Sequence, residues 1–403
     1  MRFCVLAKVT LAHSIGGMQA HCQRLIEGLA SHGHDVVLLT TSHPDGRMHE
    51  VAGRVDIRYL PETPAGLYSS AWWSGSVRAV RELHAVRPFD AILSEELAGS
   101  AVARGGPPIP HFPFLQGIVL EHVVSEFHQA EGLEGFVRYL AVKIPEMLYF
   151  TLCHEAPVVR GAGAIFVVSD RLSRLVPNWF RVPRPRVHVA RNWVDCRHFR
   201  PDGERRSRLR TRLGIPPHIP LVLIASVLTR QKGVQVGLRA LARSTRALPN
   251  LLALVVGDGP YRSDLEREAE ALGLSSRVRF IGAINNDAMP DYYNAADFFL
   301  FPSLRLEGVP YVVLEAMASG LPVVAPASGN LLEVLGDGLC GRLVEPGRET
   351  GFAQAVEELA RNSAMREQLA RAARQRALAC YSEEAVMPLV LKVIERVRET
   401  RSR

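Results

Sequence analysis

The chain has 403 residues, 47% of them hydrophobic and 22% charged, with a formal net charge of +7. That length exceeds what one hydrophobic core usually serves, so two domains are expected, and the mix of residues is that of a globular protein without low-complexity tracts. Basic residues are spread over both halves with no strongly basic arm, which argues against a dedicated nucleic-acid domain.

Residues 2–9 form an apolar, strand-like run, and Met18, Cys22, Leu25, Ile26 and Leu29 then repeat at helical spacing. Gly33 stops that helix, and residues 35–41 read as a second strand. A strand–helix–strand unit of this kind founds a parallel sheet. Further strand-like runs lie at 90–93, 111–115 and 164–168, and residues 136–152 read as a long helix with many apolar positions. The Arg-rich stretch 197–212 is expected to be a linker. The alternation then restarts, with strands at 220–226, 251–256, 278–281, 298–301 and 322–324. Helices are expected at 234–247, 261–272, 288–295, 310–319 and through 352–398. This predicts a second doubly wound sheet, with ligands at the carboxyl ends of the strands.

Cys4, Cys22, Cys153, Cys196, Cys340 and Cys380 have no metal or redox spacing and read as free thiols of a reducing compartment. No stretch approaches the roughly 20 apolar residues of a membrane span. The N-terminal apolar run is too short for a signal peptide. A cytoplasmic protein is expected, with peripheral contact at the inner face of a membrane through residues 171–191. There Arg171, Arg174, Arg181, Arg184, Arg186 and Arg191 crowd Trp179 and Phe180. Such a patch suits anionic headgroups or an acidic acceptor; an ordinary solvated surface gives the same pattern.

Four constellations carry chemistry. Gly16-Gly17 between the first strand and helix is either a tight turn or a place where backbone approaches a ligand closely. It lacks the G-x-G-x-x-G spacing of a dinucleotide site. Arg230 and Lys232 lie in a loop at the end of a strand. They suit a diphosphate, where a cation stabilises charge growing on a departing nucleoside diphosphate, or form a solvated basic loop. Gly257-Asp258-Gly259-Pro260 ends a strand in a turn that faces a nucleotide or merely connects strand to helix. Glu307 and Glu315 flank Gly308, Val309, Pro310, Tyr311 and Val312. With Pro310 in the first helical turn, Glu307 sits at the helix mouth and Glu315 about two turns inside. The helix N-terminus suits a phosphate and the two carboxylates suit sugar and ribose hydroxyls, so the segment reads as a nucleotide-sugar site or as an amphipathic helix with a Glu at each end. Glycosidases also use two carboxylates, but their chemistry needs no nucleotide cleft or Lys-bearing loop. His21, His111 and His122 have no evident partners. No H-E-x-x-H, D-x-D or Ser-His-Asp order is present, so no metal site and no cofactor are expected.

In this order the pieces resemble the family 4 glycosyltransferases, retaining enzymes of the GT-B fold. The resemblance runs through most of the chain. It is strongest from Gly257 to Pro346, through Phe280-Ile281-Gly282, Pro302-Ser303, Glu307 to Glu315, Ala316 to Val324, and Glu333. In the N-terminal half Gly16-Gly17-Met18, Gly33-His34-Asp35-Val36 and Val168-Ser169 carry it, and Asn192 to Asp195 with Phe199-Arg200-Pro201 look like the family's hinge. The resemblance implies two Rossmann-like domains facing across a cleft. Residues 1–196 with a C-terminal helix 383–403 crossing back would bind acceptor, and 197–382 would bind the donor. It implies transfer of a sugar from a UDP- or GDP-sugar to a hydroxyl acceptor, in polysaccharide, glycolipid or other glycoconjugate synthesis, without metal. Lys232 would hold the diphosphate, Glu315 the ribose and Glu307 the sugar hydroxyls. Backbone N–H groups after Gly308, at Val309, Tyr311 and Val312, would face the phosphates, with Gly257 and Gly259 beside them and Gly16-Gly17 closing from the other domain. The chain departs from the family at three places. The family's Gly-Arg before the Lys is Ser226-Val227 here, so Arg230 is expected to supply the missing charge. The family's His before Gly is Gln116-Gly117; Gln116 is no base but can bond a hydroxyl. Trp193 stands where the hinge usually has Gly. Val227 and Gln116 keep open a silent GT-B binding subunit, and a nucleotide-sugar epimerase or hydrolase on the same fold is the other alternative.

Overall fold

A computed structural model describes residues 1–14, 16–121 and 139–402. His122 and the start of the expected helix at 136–138 lie outside the described residues. The chain divides into two compact units, Met1–Asn192 with Val386–Arg403, and Trp193–Ala385.

The first unit is built on an eight-stranded sheet. Its strands are β1 (Arg2–Leu6), β2 (Asp35–Thr40), β3 (His49–Ala52), β4 (Val55–Tyr59), β5 (Ala91–Glu95), β6 (His111–Leu115), β7 (Ile165–Val167) and β8 (Val187–Val189), in the order β3-β4-β2-β1-β5-β6-β7-β8. All neighbours are parallel except the β3–β4 hairpin. Strands buried on both faces read as continuous apolar runs, which is why β1, β2, β5 and β6 are visible in the sequence. β3 lies mostly exposed at the sheet edge and β8 is only three residues long, so neither carries an apolar signature. The helix Gly17–Ser31 buries Cys22, Leu25, Ile26 and Leu29, as its spacing predicts.

The expected helix over 136–152 is helical where described but runs on to Gly161. It alternates two π turns, Tyr139–Lys143 and Thr151–Glu155, with the α-helices Ile144–Phe150 and Ala156–Gly161. Each π turn ends two residues before a proline, Pro145 or Pro157, which cannot donate the next helical bond. Its apolar positions are not all core, since Val142, Leu148, Tyr149 and Leu152 are exposed. The basic stretch 171–191 is not a uniform patch either. Arg191 pairs with Asp170 at 2.7 Å, Arg171 pairs with Glu121, and Arg186 donates to the Arg160 carbonyl at 3.0 Å, leaving Arg174, Arg181 and Arg184 exposed beside Trp179.

His21 and His111 are packed residues. His21 Nδ1 lies 2.7 Å from Glu95 Oε1, both side chains fully buried, and His111 Nε2 lies 2.8 Å from Ser94 Oγ. Burial pushes the His111 imidazole down to about 4, so it is neutral. A further buried carboxyl belongs to Glu155, which accepts the Val119 N–H at 3.0 Å. Burial, opposed by that N–H and reinforced by the charge of Glu96, pushes it up to about 8.

The second unit carries a six-stranded parallel sheet of β9 (Leu221–Ala225), β10 (Leu252–Val256), β11 (Val278–Gly282), β12 (Phe298–Leu300), β13 (Val323–Pro326) and β14 (Gly341–Val344). The order is β11-β10-β9-β12-β13-β14. The chain winds outward from β9 in one direction and then from β12 in the other, so the sheet reverses between them. Ligands of open α/β sheets bind outside the carboxyl ends at that reversal. β14 was not expected from the sequence because its middle is only half-buried.

Residues 197–212 are not a linker. Gly203–Leu213 is a helix capped by Asp202, whose side chain accepts the Glu204 and Arg205 N–H groups. Two of its arginines are structural. Arg206 and Arg210 each donate to Asp297 at 2.8 Å, and Arg210 also reaches the carbonyls of Ala295, Pro216, Pro217 and Ile219. Asp297 in turn accepts the Leu221 N–H at 2.8 Å, so this network ties the starts of β9 and β12. The units meet in sequence at Asn192/Trp193 rather than after Cys196, because 193–199 belong to the second unit. Trp193 is buried, Val194 N–H donates to the Tyr381 carbonyl at 2.8 Å, and Arg374 donates to the carbonyls of Cys196 and Phe199. The helix Glu383–Ser402 begins here, and its part from Val386 belongs to the first unit.

Two outcomes are expected. Arg210→Ala orphans buried carbonyls and removes one partner of Asp297, so urea unfolding should show a loss of about 3 kcal/mol; a loss under about 1 kcal/mol contradicts the role of the network. Glu155 ionises in the unfolded chain near the ordinary 4.5, so between about pH 4.5 and 8 folding takes up a proton and stability falls as pH rises. Glu155→Gln should therefore narrow the gap in melting temperature between pH 5 and pH 8, with the variant more stable than the parent at pH 8. An unchanged gap contradicts a buried neutral Glu155.

Candidate functional site

The loops leaving β9 and β12 lie against each other at the carboxyl edge of the second sheet. The first contains a 3-10 turn, Arg230–Lys232, ended by Gly233 at φ +68°. A β-carbon on Gly233 would lie 1.9 Å from the Pro302 carbonyl oxygen, so the close approach needs glycine. Leu304 N–H donates to the Gln231 carbonyl at 3.0 Å and ties the two loops.

This contact brings Lys232 to Glu307. The ammonium lies 2.9 Å from Glu307 Oε1 and 6.0 Å from the centre of the Phe301 ring. Ser303 Oγ donates to the same carboxylate oxygen at 2.6 Å. Burial alone would raise the Glu307 carboxyl; the Lys232 charge, the Ser303 hydroxyl and the charge of Arg305 outweigh it and hold the group below the usual carboxylate range. Glu307 is therefore an oriented anion at neutral pH, 9% exposed, with a paired cation beside it. The loop 327–330 backs it: a β-carbon on Gly329 (φ +56°) would lie 3.1 Å from the Glu307 carbonyl oxygen.

The helix that follows is Tyr311–Ala318, one residue shorter at its start than expected. Pro310 is its N-cap, and the Pro310 carbonyl accepts the N–H groups of Val313 and Leu314 at 3.1 and 3.2 Å. Glu315 is consequently just over one turn inside the helix, not two. It is buried, and Tyr293 OH lies 3.0 Å from its Oε2 and 3.1 Å from the Val312 carbonyl. Burial, then the Glu315 charge, raises the Tyr293 hydroxyl well above its ordinary value, so it stays a donor. Gly308 and Val312 are half-buried between the two glutamates, while Val309 and Tyr311 are buried.

Gly257 and Gly259 serve backbone packing first. A β-carbon at Gly257 (φ +124°) would lie 1.9 Å from the Ser226 carbonyl oxygen, and one at Gly259 2.4 Å from that of Leu228. The two loops pair through Leu228 N–H to the Asp258 carbonyl (2.9 Å) and Tyr261 N–H to the Leu228 carbonyl (3.0 Å). Val227 is exposed, and so is Arg230, whose carbonyl accepts the Gln235 side-chain amide at 2.9 Å.

The remaining candidates lie in the first unit. Gly16 caps the helix that Gly17 opens, in extended conformation, with its absent β-carbon facing the Gln19 side chain. Gln116 follows β6 and accepts the Asn192 side-chain amide on Oε1 at 2.8 Å; its Nε2 is buried without a partner among the described residues. Sequence reasoning missed two residues of the second unit. Ser303 stands in a motif quoted for its order alone, and Tyr293 sits in a short helix with no signal beyond its apolar spacing. Among the described residues no group of three or more His, Cys, Asp or Glu could hold a metal ion, and no helix is long and apolar enough to cross a membrane.

Residues 205–376 match the family profile described as glycosyl transferases group 1, and residues 16–193 that of the glycosyl transferase 4-like domain. The chain is 28% identical over 375 residues to the alpha-D-kanosaminyltransferase of Streptomyces kanamyceticus, covering 90% of this chain and 95% of that one. Over 172 residues it is 36% identical to the GDP-mannose-dependent alpha-(1-6)-phosphatidylinositol monomannoside mannosyltransferase of Mycolicibacterium smegmatis, covering 41% and 45%. In fold it is similar to sucrose-phosphate synthase from Thermosynechococcus elongatus, with a TM-score of 0.82 at 21% identity over 99% and 100% of the chains. It is also similar to Anabaena HepE in complex with UDP-glucose, with a TM-score of 0.73 at 19% identity over 100% and 99%.

Proposed function

We propose, from the premise that this chain belongs to the family 4 glycosyltransferases of the GT-B fold, that it moves a sugar from a nucleoside-diphosphate sugar to a hydroxyl acceptor with retention at the anomeric carbon. The observation that supports this best is the ion pair of Lys232 and Glu307 at the carboxyl ends of β9 and β12, ahead of the N-terminus of the helix Tyr311–Ala318. A preorganised cation and a helix N-terminus suit the charge that grows on a departing diphosphate.

In this reading Lys232 neutralises the leaving diphosphate, with the main-chain N–H groups after Gly308, at Val309, Tyr311 and Val312, toward its oxygens. Glu307, fixed by Lys232 and Ser303, accepts hydrogen bonds from the donor sugar and orients its anomeric carbon. Glu315, steadied by Tyr293, accepts the ribose hydroxyls. Gly257 and Gly259 shape the turn beside the nucleotide. Gly16 and Gly17, in the first unit, permit close backbone approach to a ligand. Gln116 bonds an acceptor or sugar hydroxyl and is not a base. The departing phosphate oxygen itself takes the acceptor proton as the new glycosidic bond forms on the same face. The step then needs no protein base. UDP- and GDP-sugars are both suitable donors; the mannosyltransferase relative is named for GDP-mannose and HepE is solved with UDP-glucose. Glycoconjugate synthesis is the expected setting, at a membrane surface where the exposed Arg174, Arg181 and Arg184 of residues 171–191 meet anionic lipid.

Lys232→Ala and Glu307→Ala should each lower turnover a hundredfold or more while circular dichroism and melting stay those of a folded protein. A near-normal rate for either removes that residue from the mechanism. Proton NMR of the product should show the anomeric configuration of the donor, and the opposite configuration overturns retention.

A further inference from the structure

The charge balance of this site is incomplete with Lys232 alone. An ion pair presents no net charge, and Lys232 is already balanced by Glu307 at 2.9 Å. A nucleoside diphosphate brings at least two negative charges, and a helix N-terminus offers only about half a positive one. Position 227 supplies an exposed valine where a second cation would be useful.

The loop 303–307 carries one further basic side chain, Arg305. Along it exposure alternates: Ser303 and Glu307 are buried and Arg305 half-buried, while Leu304 and Leu306 are exposed. Polar side chains inward and leucines outward invert the usual arrangement of a protein surface, which is explained if the inner side meets a charged ligand. Arg305 N–H donates to Ser303 Oγ at 3.2 Å, and that hydroxyl donates to Glu307 Oε1, so the backbone of Arg305 is fixed to the same cluster. Its charge is the smallest of those that hold the Glu307 carboxyl down. Among the described residues no carboxylate lies within ion-pair distance of the Arg305 guanidinium. Arg230 is exposed on the preceding loop, where its carbonyl accepts the Gln235 side-chain amide at 2.9 Å.

We propose that Arg305 is the second phosphate-binding cation of this site, taking the place of the arginine that Val227 lacks, and that Arg230 is not. The inference rests on the diphosphate reading of the Lys232–Glu307 site. A guanidinium there gives two parallel N–H donors to the phosphate oxygens, which a lysine cannot reproduce.

The test is calorimetric titration of the full chain with UDP and GDP, and with UMP and GMP, for the parent, Arg305→Ala, Arg230→Ala, Lys232→Ala and the double variant Arg305→Ala with Val227→Arg. The tighter diphosphate should bind tenfold or more weakly to Arg305→Ala, while its monophosphate weakens much less. Arg230→Ala should stay within about twofold of the parent, and Val227→Arg should restore most of the loss in the Arg305→Ala background. Parent-like diphosphate affinity in Arg305→Ala, with Lys232→Ala impaired, overturns this inference and leaves the site reading intact. A tenfold loss in Arg230→Ala instead reassigns the cation to Arg230. No diphosphate binding by the parent overturns both the site reading and this inference.

Discussion

A side chain at position 233 would put its β-carbon 1.9 Å from the Pro302 carbonyl oxygen, so the loop carrying Lys232 closes on the loop carrying Glu307 only with glycine there. That closure sets the distance from ammonium to carboxylate, and the Leu304 to Gln231 hydrogen bond holds it. The same device recurs one strand away, where Gly257 and Gly259 let the turn after β10 lie on Ser226–Leu228. Glycines at the carboxyl edge thus hold three loops in register, and the charged groups follow from that register. Behind them, Asp297 with Arg206 and Arg210 fixes the starts of β9 and β12, the two strands between which the winding reverses.

The electrostatics of the pair favour function over stability. For the Glu307 carboxylate the Lys232 charge, the Ser303 hydrogen bond and the Arg305 charge outweigh the cost of leaving water, but the pair as a whole also carries the cost of partly burying the ammonium. What the pair supplies is a carboxylate that stays ionised and points one way, and an ammonium already placed where a phosphate would arrive. A preorganised arrangement of this kind spends little reorganisation when charge develops on a leaving group. Glu315 accepts a hydrogen bond from the Tyr293 hydroxyl at 3.0 Å, which fixes the direction of its carboxylate, an arrangement that suits hydrogen bonding to hydroxyls.

Much of this was legible from the sequence where burial is two-sided. The central strands β1, β5, β6, β9, β10 and β12 are continuous apolar runs, and the Gly and Pro positions around them mark the turns. The edge strands β3 and β14 escaped because half-exposed strands carry no such run. The helix Gly203–Leu213 was misread as a linker because its sequence is polar nearly all round. Its stability comes from the Asp202 cap and from arginines that bond across the fold, which local pattern cannot reveal. At the site, residue types and spacing pointed to Lys232, Glu307 and Glu315. The partners that orient them, Ser303 and Tyr293, are set by tertiary contacts 4 and 22 positions away in sequence. Glu315 lies one turn nearer the helix start than its spacing from Glu307 implies, because residues 307–310 are loop rather than helix.

The central claim is that the Lys232–Glu307 cluster is a nucleoside-diphosphate site. Thermal stabilisation of the full chain by millimolar UDP, GDP, ADP and NAD tests it most directly, since a ligand at a hundred times its dissociation constant adds about 2.7 kcal/mol. The account predicts a clear rise in melting temperature with a nucleoside diphosphate, none with NAD, and loss of that rise in Lys232→Ala. No rise with any nucleoside diphosphate, or an equal rise in Lys232→Ala, would contradict it.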